Sequence, residues 1–130
     1  MKRLIIISLV ALFVVALGVV ESVYSTNLFE NLENKLTVID KCLDDDKENI
    51  SSDDVVKKVD ELINEWDGVR NVVITFSNHG IVRSLEEKLY ALQSSIKTNE
   101  YVNAKEYATL ARALSRDLVD ETYITIGNLF

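Results

Sequence analysis

The only histidine of the chain lies in "ITFSNHG", residues 74–80. An imidazole there has two uses: a general base or metal ligand, or part of a turn between helices. Base or ligand work needs partners, such as a second histidine, a thiolate or an orienting carboxylate. There is no second histidine, and Glu86 and Glu87 fall two helical turns further on. Asn78 or Ser77 beside Gly80 is the composition of a helix–helix turn. His79 is therefore read as a turn or cap residue.

The acidic stretch "DDDKENISSDD", residues 44–54, is the next candidate. Asp44, Asp46 and Glu48 alternate as calcium ligands can. An EF-hand loop also needs glycine at its sixth position and glutamate at its twelfth, and here those are Asn49 and Val55. A solvated loop is the expectation. Cys42 is the sole cysteine, so it forms no internal disulfide and builds no thiolate cluster by itself. Its expected role is a small, buried apolar residue. Trp66 falls on an apolar seam and is expected in the core rather than as a stacking platform. No G-x-S-x-G, glycine-rich phosphate loop or HExxH is present. The expectation is a non-enzymatic protein with no catalytic, metal or cofactor-binding residues.

The elements that would carry these residues begin with "LIIISLVALFVVALGVV", Leu4–Val20, which has no charge and Ser8 as its one polar side chain. At ~1.5 Å per residue it rises about 26 Å, near the ~30 Å of a hydrocarbon core. Lys2 and Arg3 precede it, and Glu21 and Glu30 follow. That asymmetry predicts a cytoplasmic amino terminus and an extracytoplasmic remainder. Two readings stand: a retained signal-anchor over residues 1–20, or a signal cleaved after Gly18, with Ala16 and Gly18 at the small-residue positions. The apolar run continues past that site to Val20, which favours the anchor.

The net charge is −7, and all 21 acidic residues follow the apolar run while two of the 14 basic ones precede it. So acidic a surface repels phosphate backbones, which argues against a nucleic-acid partner. With no proline and four glycines, the chain has few helix breakers.

Residues 21–130 read as about four amphipathic helices. Tyr24, Leu28, Leu32, Leu36, Ile39 and Leu43 form the first stripe. Val55, Val59, Leu62, Trp66, Val69, Val73 and Phe76 alternate in steps of four and three, a heptad seam. "VVIT", residues 72–75, is β-branched, but the unbroken seam outweighs that preference. Ser51 or Ser52 is expected to cap this helix. Ile81, Leu85, Leu89, Leu92 and Ile96 make the third stripe. Thr98 or Asn99 is expected to cap the fourth helix, whose stripe is Ala104, Tyr107, Ala111, Leu114 and Leu118, with Ala108 beside it. Gly127 is the expected helix stop, with Leu129 and Phe130 as a candidate contact. The fold class expected is all-α: an N-terminal transmembrane helix, then an antiparallel bundle.

This order of features resembles a family of short, membrane-anchored helical proteins of clostridia and related Gram-positive spore formers, catalogued as a domain of unknown function. The resemblance rests on "MKRLIIISLVALF", the tryptophan of "INEWDGV", the asparagine–histidine of "TFSNHGIV", "LEEKLYALQSSIKTNEYVNA" and the terminal "ITIGNLF". It implies a cell-envelope protein with an exported helical domain and no assigned activity. It also implies a membrane partner, because such genes often neighbour one for a multi-pass membrane protein. Gly80 departs from the acidic residue that relatives often carry after the histidine. The function expected is an accessory or interaction protein of the envelope. The alternative is an extracytoplasmic module that senses a small molecule or metal through a membrane partner.

Overall fold

The computed structural model describes the backbone of residues 1–129 and the side chains of residues 1–75 and 77–122. Four helices follow in order: α1 (Lys2–Asp45), α2 (Asp53–Phe76), α3 (His79–Lys97) and α4 (Tyr101–Leu129). There is no strand among the described residues. The "VVIT" segment is helical, as the seam requires.

α1 is one helix of 44 residues, about 66 Å long. No residue in the most apolar stretch of its first part is buried. This one helix is long and apolar enough to cross a membrane. The same helix continues without a break past residue 20 into the bundle.

Each helix packs against its two neighbours in the ring α1–α2–α3–α4, and among the described residues the backbones of the diagonal pairs stay further apart. Neighbours run antiparallel, as the short connections dictate. The core holds Leu32, Leu36, Ile39 and Leu43 of α1, Val59, Leu62 and Trp66 of α2, and Leu85, Leu89, Leu92 and Ile96 of α3. Each such side chain contributes about 1.5–3 kcal/mol on leaving water.

α4 meets the core through small residues. Ala104, Ala108, Ala111 and Ser115 are buried, followed by Leu118 and Val119. Tyr107 and Leu114, expected on the stripe, are half-buried beside it. The short side chains let α4 lie close to α1, and these two helices share the most extensive interface. A charged network borders it. Lys105 Nζ is 2.7 Å from Asp40 Oδ1 and 2.9 Å from Asp44 Oδ2, Arg112 Nη1 is 3.3 Å from Asp40 Oδ2, and Arg116 Nη1 is 3.6 Å from Glu33 Oε2.

Several expected details differ. The buried positions of α1 pass from Leu32 to Phe29 and Thr26, leaving Leu28 half-buried and Tyr24 exposed. A run of four-residue steps advances about 40° per step around the helix, so it leaves a fixed core direction within two steps. Phe29 and Thr26 take the buried places instead. On α3, Val82 is buried and Ile81 only half-buried.

The acidic loop is not wholly solvated. Ile50 is fully buried, and its N–H donates to Asn99 Oδ1 at 2.9 Å. Asn99 Nδ2 donates to the Glu48 carbonyl at 2.9 Å. Ser51 Oγ donates to the Ile96 carbonyl, while Ser52 precedes α2 without a side-chain cap bond. Neither Thr98 nor Asn99 caps α4. Thr98 ends α3, and Asn99 adopts a left-handed backbone with φ of 57°. The Glu100 N–H then reaches the Ser95 carbonyl at 2.8 Å and the Asn99 N–H reaches that of Ile96 at 3.1 Å, a Schellman closure. Asn99 is thus the residue that ends one helix and pins the distant α1–α2 loop to it.

Gly127 does not stop α4, which continues to Leu129. The candidate contact at Leu129 and Phe130 falls outside the described side chains.

Candidate functional site: the groove between α1 and α2

The residues first singled out for chemistry take structural places. His79 is the exposed first residue of α3, and the cap before it is Asn78, whose Oδ1 accepts from the N–H groups of Gly80 at 2.9 Å and Ile81 at 3.2 Å. Asp44 accepts from Tyr101 Oη at 2.6 Å and from Lys105, and Asp46 Oδ1 accepts from the Asn49 N–H at 3.2 Å. Among the described residues no group of three His, Cys, Asp or Glu side chains is placed to hold a metal. Cys42 is half-buried against the core.

Trp66 is 2% exposed, as its seam position demands. Its indole Nε1 donates to Glu86 Oε2 at 2.9 Å, and Arg70 Nε donates to the same oxygen. An indole N–H buried in a core requires such an acceptor. Sequence periodicity does not reveal Glu86, because it lies off the apolar stripe of α3.

A concavity lies between α1 and α2, beside the half-buried Leu28 and the exposed Tyr24. It encloses about 710 Å³ and is lined by Tyr24, Leu28, Leu32, Leu62, Trp66 and Val69, with Asn27, Asn31, Lys35, Glu65 and Gly68. Pockets of about 300–1,000 Å³ accommodate small ligands. A Cβ placed on Gly68 would meet nothing within 4 Å, so the wall there is open. Lys35 Nζ and Glu65 Oε2 form an ion pair across the groove. Beyond that pair a smaller hollow of about 240 Å³ continues past Asn34, Val38, Ile39, Lys58 and Glu61. The pair thus divides the groove into a larger compartment nearer the apolar span and a smaller one further from it.

Apolar walls with a bridging ion pair and asparagine amides suit an amphipathic surface that can hydrogen-bond at one edge. The flanking helices carry shifted carboxyls. Hydrogen bonds from Tyr101 and Lys105 hold Asp44 below the usual aspartate range. Those from Gln93 and Lys97 do the same for Asp60. Burial acts to lower Lys105, but its bonds to Asp40 and Asp44 outweigh that and raise it.

The groove was legible only in part. Its apolar lining appears in the stripes of α1 and α2. Asn27, Asn31 and Asn34 recur at steps of four and three, a signal that a search for apolar periodicity passes over. No protein-family model, curated protein or solved structure matches this chain.

Proposed function

We propose that this chain is a membrane-tethered accessory protein of the bacterial cell envelope, non-enzymatic, whose helical bundle engages another envelope or membrane protein outside the cytoplasm. The observation that carries the reading is α1: a helix whose exposed apolar stretch continues directly into a bundle. A tether of this kind places the bundle at the membrane surface, where its partner would lie. The basic residues before the span and the acidic ones after it support an extracytoplasmic bundle. The resemblance to membrane-anchored proteins of spore formers points the same way. Crosslinking in native membranes, followed by identification of what is captured, tests it. Recovery of one membrane or envelope protein above background is expected, and none in several detergents would refute it.

A second reading is a sensing module that binds a small molecule in the α1–α2 groove. Its support is the 710 Å³ volume lined by the helix that also forms the anchor. A thermal-shift screen with metals and metabolites tests this, and no stabilising compound is the refuting result.

A further inference from the structure

α1 carries a second seam besides the one buried in the bundle. Ile6, Val10, Phe13, Leu17, Val20, Tyr24, Asn27, Asn31, Asn34 and Val38 follow one another in alternating steps of four and three. This is a heptad seam that runs unbroken from the apolar span into the bundle. All of it lies on α1, and all of it is exposed: Tyr24 is 47% and Val38 50% accessible, and Asn27, Asn31 and Asn34 are exposed between them. Asparagine is one of the poorer helix formers, and elsewhere on α1 beyond Val20 exposed polar positions use Glu, Asp or Lys. Its concentration on one stripe calls for a role that helix formation does not provide.

We propose that this seam pairs with the same seam of a second copy of the chain, in a parallel dimer along α1. The occupant follows from two observations. First, the seam is continuous with the apolar span, so two copies in one membrane present it side by side and in the same direction. Second, an asparagine side chain carries both donor and acceptor, so each of Asn27, Asn31 and Asn34 complements its own counterpart across a two-fold axis.

The two halves of the seam do different work. Within the bilayer, Ile6, Val10, Phe13, Leu17 and Val20 associate by close packing, since lipid supplies no hydrophobic drive between helices. Above it the asparagines fix register at the expense of strength, as polar residues at seam positions do. The dimer is therefore reversible and depends on membrane confinement, which raises the effective concentration of one copy for another. Because Tyr24, Asn27 and Asn31 also line the larger compartment, the second α1 would close the mouth of the groove.

Single cysteines test the arrangement in the full chain in native membranes, in a Cys42→Ser background. Asn27→Cys, Asn31→Cys and Asn34→Cys place thiols near the two-fold axis, where Cα separations suit a disulfide. Under mild oxidation each is expected to convert most of the monomer to a covalent dimer. The exposed controls Lys57→Cys on α2 and Glu106→Cys on α4 are expected to stay monomeric. Seam variants that remain monomeric, or that crosslink no faster than the controls, would overturn the proposal. A second measurement needs no cysteine. Two differently tagged copies should co-purify, and the triple change Asn27→Lys, Asn31→Lys and Asn34→Lys should abolish it. Undiminished recovery of that variant would refute the role of the asparagines. Capture of a different envelope protein is read separately and is unaffected by either outcome.

Discussion

Asn99 combines two roles, and its replacement separates them. Its φ of 57° allows the Schellman closure of α3, and its amide joins the Ile50 N–H and the Glu48 carbonyl, both at 2.9 Å. In Asn99→Ala the left-handed backbone costs about 1–2 kcal/mol. Loss of the two hydrogen bonds costs about 1 kcal/mol each. The expected total is about 3–4 kcal/mol. Asn99→Gly tolerates the backbone and loses only the bonds, so about 2 kcal/mol is expected. Trp66 is the sole tryptophan and lies in the core, so its fluorescence reports bundle unfolding in detergent micelles. At a urea slope of ~2 kcal/mol/M, the alanine variant should lower the midpoint by about 1.5–2 M and the glycine variant by about 1 M. An alanine variant within ~0.5 kcal/mol of the parent, or a glycine variant equally destabilised, would refute the two-part account.

Gly68→Ala should stabilise the chain by up to about 1 kcal/mol, because the position is helical and the new methyl meets nothing within 4 Å; a lower urea midpoint would contradict this. Glu86→Ala leaves the buried Trp66 N–H without its acceptor and should cost about 1–3 kcal/mol, whereas Glu86→Gln retains an acceptor and should cost less; denaturation with the same fluorescence readout ranks the two. Asp44 and Asp60 are held below the ordinary aspartate value of 3.8 in the folded chain. Their stabilising effect is thus complete well above pH 3.8 and is lost as the pH falls through the folded values, so Asp44→Asn with Asp60→Asn should flatten the acid limb of a stability–pH profile measured below pH 5. His79→Ala removes an exposed side chain and should change stability by less than ~0.5 kcal/mol, with any membrane phenotype unaltered; loss of function in a folded variant would restore a chemical role to the imidazole.

The four helices were legible because their apolar positions recur at helical spacing and no proline interrupts them. α2 is the clearest instance: Val55, Val59, Leu62, Trp66 and Val73 are all buried where the heptad pattern placed them. The first stripe departs from the packing at its N-terminal end, because Tyr24 and Leu28 extend an apolar series that the packing abandons for Phe29. Choosing between two overlapping stripes requires knowing which neighbour the helix leans on, and that is a tertiary fact. Ile50 was hidden by its polar surroundings, and its burial depends on a bond to Asn99, far away in sequence. The groove was least legible of all. It arises from the separation of two helices, which no local pattern encodes, and its asparagines belong to no apolar period.

The uninterrupted course of α1 has a mechanical consequence. No glycine or proline lies between Glu21 and Asp45, so nothing in that stretch offers a joint. Membrane-crossing helices lean by about 20° on average. Carried over the roughly 37 Å from Val20 to Asp45, such a lean would swing the far pole of the bundle sideways by about 13 Å. Were the apolar run to span a bilayer, a membrane that thins or thickens and so changes that lean would steer the loops at the far pole as a mast moves with its hull.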